Sequence, residues 1–277
     1  MSLEAFPPLV LVASRFLISG SMMLAAVSAR SARLPRGAEL WHAVLSGVLI
    51  LGIGNGCLTF AELRVPSGMA GLINSLSPFW LVGIEALMPG GERLYPPTIL
   101  GMMIGCVGVG LLVSGGMGAG EFNRTAFDGF LILQVGIVSW CFGSIYQRRR
   151  KVDIHPSVVG AVQQVAAGLA ALPFALFVSR HQIHWSMRGV TALFYLVIFG
   201  SIVGYSAYAY ALDRLPVAIV SIYSYVNSVV AVALGWLFYR EPFGVREAIA
   251  AAIIFAGVAL VKWQSGKAAL AKMDVEA

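Results

Sequence analysis

Apolar residues along the chain fall in repeated blocks of about 20, from Leu9 to Trp263, separated by short connections that carry the prolines and most of the charge. A block of that length crosses a roughly 30 Å hydrocarbon layer as one helix. The blocks predict nine helices, at about 9–28, 40–63, 66–88, 97–114, 127–147, 156–178, 190–212, 216–239 and 245–263. Pro66, Pro97, Pro156 and Pro216 stand at helix starts, where a missing N–H costs nothing. Runs such as AIAAAIIFAGVALV lack the strict alternation of a membrane β-strand, so a barrel is set aside.

Composition agrees with this pattern. Of 277 residues, 58% are hydrophobic and 12% charged, about half the charged share of a soluble domain. A mean hydropathy of +0.83 cannot be hidden in one soluble core. The fold class is therefore all-α, a polytopic membrane protein. The net charge of +6 argues for a nucleic-acid partner only if basic residues cluster on a soluble face, and here they lie in short connections. Nucleic acid is excluded, and the charges read as orientation signals instead. Twelve Lys and Arg occupy one alternate set of connections (Arg30, Arg33, Arg36, Arg93, Arg148, Arg149, Arg150, Lys151, Arg214, Lys262, Lys267, Lys272), and six the other. The richer set faces the cytoplasm, which places the C-terminus inside and Met1 outside.

Chemistry-bearing motifs are scarce. Cys57, Cys106 and Cys141 sit within apolar blocks without CxxC spacing, and His42, His155, His181 and His184 lie at helix ends or in connections. No metal site, cofactor or catalytic residue is expected. HExxH and GxSxG are absent, and no span holds a carboxylate pair at catalytic spacing, so the chain does not read as an enzyme. Glu62 and Glu85 read as interfacial, and no deep carboxylate pair supports a proton relay.

The sequence repeats itself. Residues 45–113 match residues 195–262 at an offset of about 150: Leu63-Arg64-Val65-Pro66 answers Asp213-Arg214-Leu215-Pro216, and GCVGVGLLV answers IFAGVALVK. Pro8 with Gly20 answers Pro156 with Gly168. The second half then has five helices and the first four, so the expected plan is an inverted 5+5 helix repeat with the first helix absent. The expected divisions are a first repeat over 1–114, a linker over 115–126, a second repeat over 127–263 and a cytoplasmic tail over 264–277.

PPLVLVASRFLISG, RVPSGMAGLINSLSPFWL and GGERLYPPTILGMMIGCVGVGLLV, repeated in RLPVAIVSIYSYVNSVVAVALGWLFYREPFGVREAIAAAIIFAGVALV, resemble the drug/metabolite transporter superfamily and specifically its EamA-type members. The resemblance covers nearly the whole chain. It implies ten helices in two five-helix units and transport of small metabolites across the cytoplasmic (inner) membrane. Partners on this reading are a small-molecule substrate and the lipid bilayer, with a homodimer left open. The alternative is a transport-incompetent truncated homologue or membrane assembly partner.

Polar residues far from helix ends are the candidate site, because within lipid they must find a partner or line a wet cavity. Gly71, Asn74, Ser75 and Pro78 share one helical face, and their repeat counterparts Ser221, Ser224, Tyr225 and Ser228 share another. Faces related in this way should meet at a pseudo-two-fold axis. Pro78 leaves the Asn74 carbonyl without its helical partner, which suits a hinge or gate. Asn55 and Thr59, with Tyr205 and Tyr208 as counterparts, and Gln134 with Trp140 complete a candidate substrate wall. The aromatics favour flat or amphipathic solutes. Interhelical hydrogen bonding is the competing role for each of these groups, and the residues alone leave both open. Trp80, Trp236 and Tyr239 read as interfacial belt residues, and Arg15 as structural or substrate-contacting, with a structural role favoured.

Overall fold

A computed structural model describes residues 2–30, 32–89, 96–113, 124–150, 154–178, 183, 185–215, 220, 223–239 and 244–276, with the side chains of 2, 4, 112, 113, 225, 239, 262 and 264–276 left aside. The described elements are all helical. They are α1 (Ser2–Ala5), α2 (Pro8–Ala29), α3 (Ala38–Ala61), α4 (Ser67–Leu87), α5 (Pro96–Val113), α6 (Arg124–Arg149), α7 (Pro156–Leu176), α8 (Met187–Arg214), α9 (Tyr223–Tyr239) and α10 (Val245–Glu276). Among the described residues, six of these (α2, α3, α4, α6, α7 and α8) are long and apolar enough to cross a bilayer. Shorter apolar helices cover Pro96–Leu111 and Val226–Phe238. Each of the nine apolar blocks therefore falls on a helix, while six meet the length and hydropathy that a crossing demands. The backbone of α10 continues through the segment read as a tail. The linker read over 115–126 lies almost wholly outside the described residues.

Two irregularities recur at matching places. Both α3 and α8 change from α- to π-helix in mid-course, over Val48–Asn55 and Leu196–Gly204, an offset of 148 (196 − 48). The wider π turn is uncommon, and here it coincides with glycine-containing runs, GIG in one helix and GSIVG in the other. α4 is broken rather than bent. Its first part ends at Asn74, Ser75 and Leu76 form a turn, and its second part starts at Ser77 with Pro78 in its first turn. Proline tolerates that position because its absent N–H has no intrahelical role there.

Contacts divide the chain into two units. One holds Met1–Phe60 with Ser139–Val220, the other Ala61–Val138 with Ser221–Ala277, and α6 contributes residues to each. Each unit thus combines segments from both sequence halves.

In the first unit α2 packs along α7. Their glycines explain the close approach. A Cβ on Gly20 would lie 2.7 Å from the Val165 backbone nitrogen, and one on Gly168 would lie 2.8 Å from the Leu17 nitrogen. Gly168 is Gly20 plus 148 and Val165 is Leu17 plus 148, so the two contacts are reciprocal. The core beside this crossing contains Val12, Ala13, Phe16, Ile50, Leu51, Ala167, Ala171 and Tyr205.

In the second unit α5 packs along α10 in the same reciprocal manner. A Cβ on Gly108 would meet the Ala250 oxygen and Ile254 nitrogen, each at 3.0 Å; one on Gly257 would meet the Gly101 oxygen at 2.5 Å and the Gly105 nitrogen at 2.6 Å. At an offset of 149, Gly101, Gly105 and Gly108 correspond to Ala250, Ile254 and Gly257. Small residues permit such backbone contact where lipid offers no hydrophobic drive to association. α4 packs on α9 as well, with Gly71 against Ser228 and Ala231.

Candidate functional site

The polar groups within the spans sort into two clusters, one in each unit. Those in the first unit centre on α7. Gln163 and Gln164 are fully buried there, on a helix whose remaining buried residues are small or apolar. Gln163 donates from Nε2 to the Ser46 hydroxyl and to Gln147 Oε1, both at 2.8 Å, and its Oε1 accepts the Tyr205 hydroxyl at 2.9 Å. Gln164 Nε2 donates to the Ser201 carbonyl at 3.2 Å and approaches Met23 Sδ, while its Oε1 accepts the Ser19 hydroxyl. One helix is thereby tied to α2, α3, α6 and α8 by groups whose hydrogen bonds are all internal, the arrangement that makes a buried polar group tolerable.

Beside this network Trp140, Tyr205 and Tyr208 come together. Trp140 Nε1 donates to the Tyr208 hydroxyl at 3.0 Å, their ring centroids being 5.4 Å apart, and Tyr205 stacks on Tyr208 at 5.8 Å. Ser144 completes the group at 2.6 Å from the Tyr208 hydroxyl. Tyr205 is buried, whereas Trp140 and Tyr208 are half-buried and present the aromatic surface. Asn55 ends the π segment of α3 and is half-buried; Thr59, one turn later, spends its hydroxyl on the Asn55 carbonyl at 2.8 Å.

Arg15 lies within α2, where its Nε donates to the Ser201 hydroxyl at 2.7 Å and its guanidinium carbon stands 5.0 Å from the Phe16 ring centre. A Cβ on Gly200 would come within 2.8 Å of Arg15 Nη2, so the π segment of α8 makes room for the guanidinium. A charge inside an apolar span needs such partners.

In the second unit the polar faces of α4 and α9 meet. Ser228 is fully buried and its hydroxyl bridges the Gly71 carbonyl, at 2.6 Å, and the Ser224 carbonyl, at 2.7 Å. Ser224 and Ser75 are buried too, and Ser75 caps the Leu72 carbonyl at 2.6 Å just where α4 breaks. Asn74 is half-buried at the last position before the break, and Pro78 is buried after it. The backbone of Tyr225 lies in α9; its side chain, like the whole of Ser221, lies outside the described residues. Gln134 is half-buried on α6, where its Oε1 accepts the Trp80 indole N–H at 2.7 Å. Because an indole nitrogen only donates, this bond fixes which end of the amide faces Trp80. Gln134 Nε2 is then buried with no partner among the described residues.

This geometry adds to the sequence reading in three ways. Trp80, read as a belt residue, is exposed and donates its indole N–H to Gln134. Gln163 and Gln164 escaped notice as mid-span polar residues although their i, i+1 placement deep in an apolar helix was the available signal. Several predicted wall residues, Thr59, Ser75 and Ser228 among them, give their hydroxyls to backbone carbonyls, the usual habit of Ser and Thr in helices. No group of three or more potential metal ligands occurs among the described residues.

Residues 1–114 and 128–263 match the EamA-like transporter family. The chain belongs to that family. Over 263 residues it is 34% identical to the uncharacterized inner membrane transporter YedA of Escherichia coli K12, a match covering 94% of this chain and 83% of the relative. It is 31% identical over 177 residues to the aromatic amino acid exporter YddG of Ancylobacter novellus, covering 64% and 61%. A solved crystal structure superposes with a TM-score of 0.69 at 27% identity, covering 96% of this chain and 91% of that one. As a member of the EamA-like family the chain is a transporter of the drug/metabolite class and not an enzyme. Six apolar helices and inner membrane relatives make it a multi-pass inner membrane protein.

Proposed function

We propose that the protein moves a small organic solute, an amino acid, amine or related compound, across the inner membrane by alternating access, with nine crossings and a cytoplasmic C-terminus. The observation that carries this reading is the reciprocal contact of repeat-related helices: α2 with α7 and α5 with α10 approach through matched glycines, and α4 with α9 through matched polar faces. An inverted repeat gives a transporter two near-equivalent arrangements of the same parts, and discontinuous helices near the middle of such folds hold solute. The break of α4 at Ser75 and Leu76, with Pro78 behind it, supplies a discontinuity of that kind.

On this reading Asn74, Ser75, Ser224, Tyr225 and Ser228 contribute one polar surface and Pro78 the hinge. Asn55, Thr59, Trp140, Tyr205 and Tyr208 contribute an aromatic and amide surface, and Gln134 a third group of contacts. The half-buried faces of Trp140 and Tyr208 suit a flat or amphipathic solute. An exporter of aromatic amino acids among the relatives agrees with that choice.

The test is export from cells that overproduce the chain, compared with cells carrying an empty vector, for a panel of labelled amino acids, amines and aromatic metabolites. At least one solute should leave faster. Asn74→Ala and Tyr225→Ala should lower that rate at unchanged abundance in the membrane. Equal rates for every solute would reject the reading.

A further inference from the structure

The end of the first unit that carries Arg148, Arg149 and Arg150 holds a cleft that adjoins the Gln163 network through Gln147. The cavity is small, about 40 Å³, and open on one side, and its walls are Gln147, Arg148, Arg150, Ile154, Pro156, Val159, Ala209, Leu212 and Asp213. The walls differ in character. Gln147 and Arg148 at the end of α6 and Arg150 just beyond it supply an amide and two arginines, whereas Ile154, the start of α7 and the end of α8 supply mainly apolar surface.

Arg148 is held in place because its Nη1 donates to the Asp213 carbonyl at 2.6 Å. That single bond leaves the other N–H groups of a five-donor fork available. Among the described residues neither Arg148 nor Arg150 forms an ion pair, whereas Arg33 of the same unit pairs with Glu39 at 2.9 Å. The Asp213 side chain is the one acidic group on the walls, so the lining carries a net charge of +1 (two Arg less one Asp). Arg214, next in sequence, does not line the cleft and lies over the Tyr210 ring at 4.5 Å. The start of α7 offers no spare donor here: Pro156 has no N–H, Ser157 N–H goes to His155 Nδ1, and Val158 N–H to the His155 carbonyl.

We propose that this cleft binds a phosphate-bearing anion, supplied by the headgroup of an anionic phospholipid. Two arginines match the paired oxygens of a phosphate, since a guanidinium presents parallel donors. The apolar wall of Ile154, Val159, Ala209 and Leu212 would face the glycerol and upper acyl chain, which free phosphate does not possess. The depth is appropriate, because α6 and α8 span the bilayer and these residues stand at their ends. Basic pockets between helix ends at the membrane surface are where lipid phosphates bind.

The experiment uses the full chain, purified in a neutral detergent. Binding of a fluorescent phosphatidylglycerol is measured against unlabelled phosphatidylglycerol, phosphatidylcholine with the same chains, and inorganic phosphate. Phosphatidylglycerol should compete at least about tenfold better than phosphatidylcholine, a difference of about 1.4 kcal/mol. The double substitution Arg148→Gln, Arg150→Gln should weaken binding by at least as much, and Arg148→Lys, Arg150→Lys should restore part of it. Arg33→Gln, which does not line the cleft, should leave it unchanged. Equal competition by the two lipids, or equal loss in Arg33→Gln, would overturn the proposal and leave Arg148 as a cap on the α8 carbonyls. Inorganic phosphate competing as well as the lipid would overturn the lipid assignment in favour of free phosphate. The lipid comparison needs only the wild-type chain, so it decides the matter even if the double variant fails to fold.

Discussion

Adding one methyl group at Gly257 tests whether the α5 to α10 crossing is as close as described. An alanine Cβ would lie 2.5 Å from the Gly101 oxygen and 2.6 Å from the Gly105 nitrogen, where ordinary contact begins at 3.4 Å. Both obstacles are backbone, so no rotamer change relieves them, and the helices must part by about 0.9 Å (3.4 − 2.5). A gap of 0.5–1 Å forfeits about a quarter to a half of the local dispersion energy, and overpacking a tight contact costs about 1–3 kcal/mol. Against this, alanine gains about 1 kcal/mol over glycine in helix propensity. Gly257→Ala should therefore lower stability by up to about 2 kcal/mol. Gly110→Ala, on α5 but with nothing within 4 Å of its Cβ, should be neutral or stabilising by up to about 1 kcal/mol. Thermal unfolding in detergent, followed by loss of the monodisperse peak on size exclusion, reads both. Gly108→Ala, the reciprocal position, should fall with Gly257→Ala, less severely because its backbone contacts are at 3.0 Å. Equal stability of Gly257→Ala and Gly110→Ala would refute the reciprocal glycine contact.

Other substitutions separate packing from transport. Tyr208→Phe removes the acceptor of the Trp140 indole and the partner of Ser144, and should cost about 1–2 kcal/mol in the same unfolding assay. Gln163→Leu strands the Gln147 amide oxygen and the Tyr205 hydroxyl, while Ser46 keeps its bond to the His42 carbonyl at 2.8 Å, and should cost about 2 kcal/mol or more; a smaller loss than Tyr208→Phe would show that the Gln163 network does not hold the first unit. Trp80→Phe frees the Gln134 carbonyl oxygen and should cost only about 1 kcal/mol, yet lower transport several-fold. An unchanged transport rate would remove Gln134 from the solute site.

The helices were legible because lipid demands long apolar runs, and each block from Leu9 to Trp263 meets one in the structure. The close crossing of α2 and α7 was foreshadowed by Pro8 with Gly20 and Pro156 with Gly168, since glycine at a crossing is dictated by backbone clearance. What escaped was the direction of polar side chains. Helical spacing puts Thr59, Ser75 and Ser228 on the predicted faces, but whether a hydroxyl faces solute or bonds to a carbonyl one turn back is a rotamer choice. The bond of Trp80 to Gln134 was hidden for a related reason. Tryptophan near a span end is commonly interfacial, and only the placement of α6 brings Gln134 to its indole. The π segments over Val48–Asn55 and Leu196–Gly204 have no local signature beyond their glycines, which serve close packing equally well, so spacing alone did not locate them.

Transport is the central claim, and counterflow in liposomes tests it most directly. The purified chain is reconstituted into vesicles loaded with one unlabelled solute from an amino acid, amine and aromatic panel, and entry of the same labelled solute is followed. The account predicts a transient overshoot for at least one solute, saturable and reduced in Asn74→Ala. Entry indistinguishable from protein-free vesicles for every solute, with the protein shown to be folded and inserted, would contradict it.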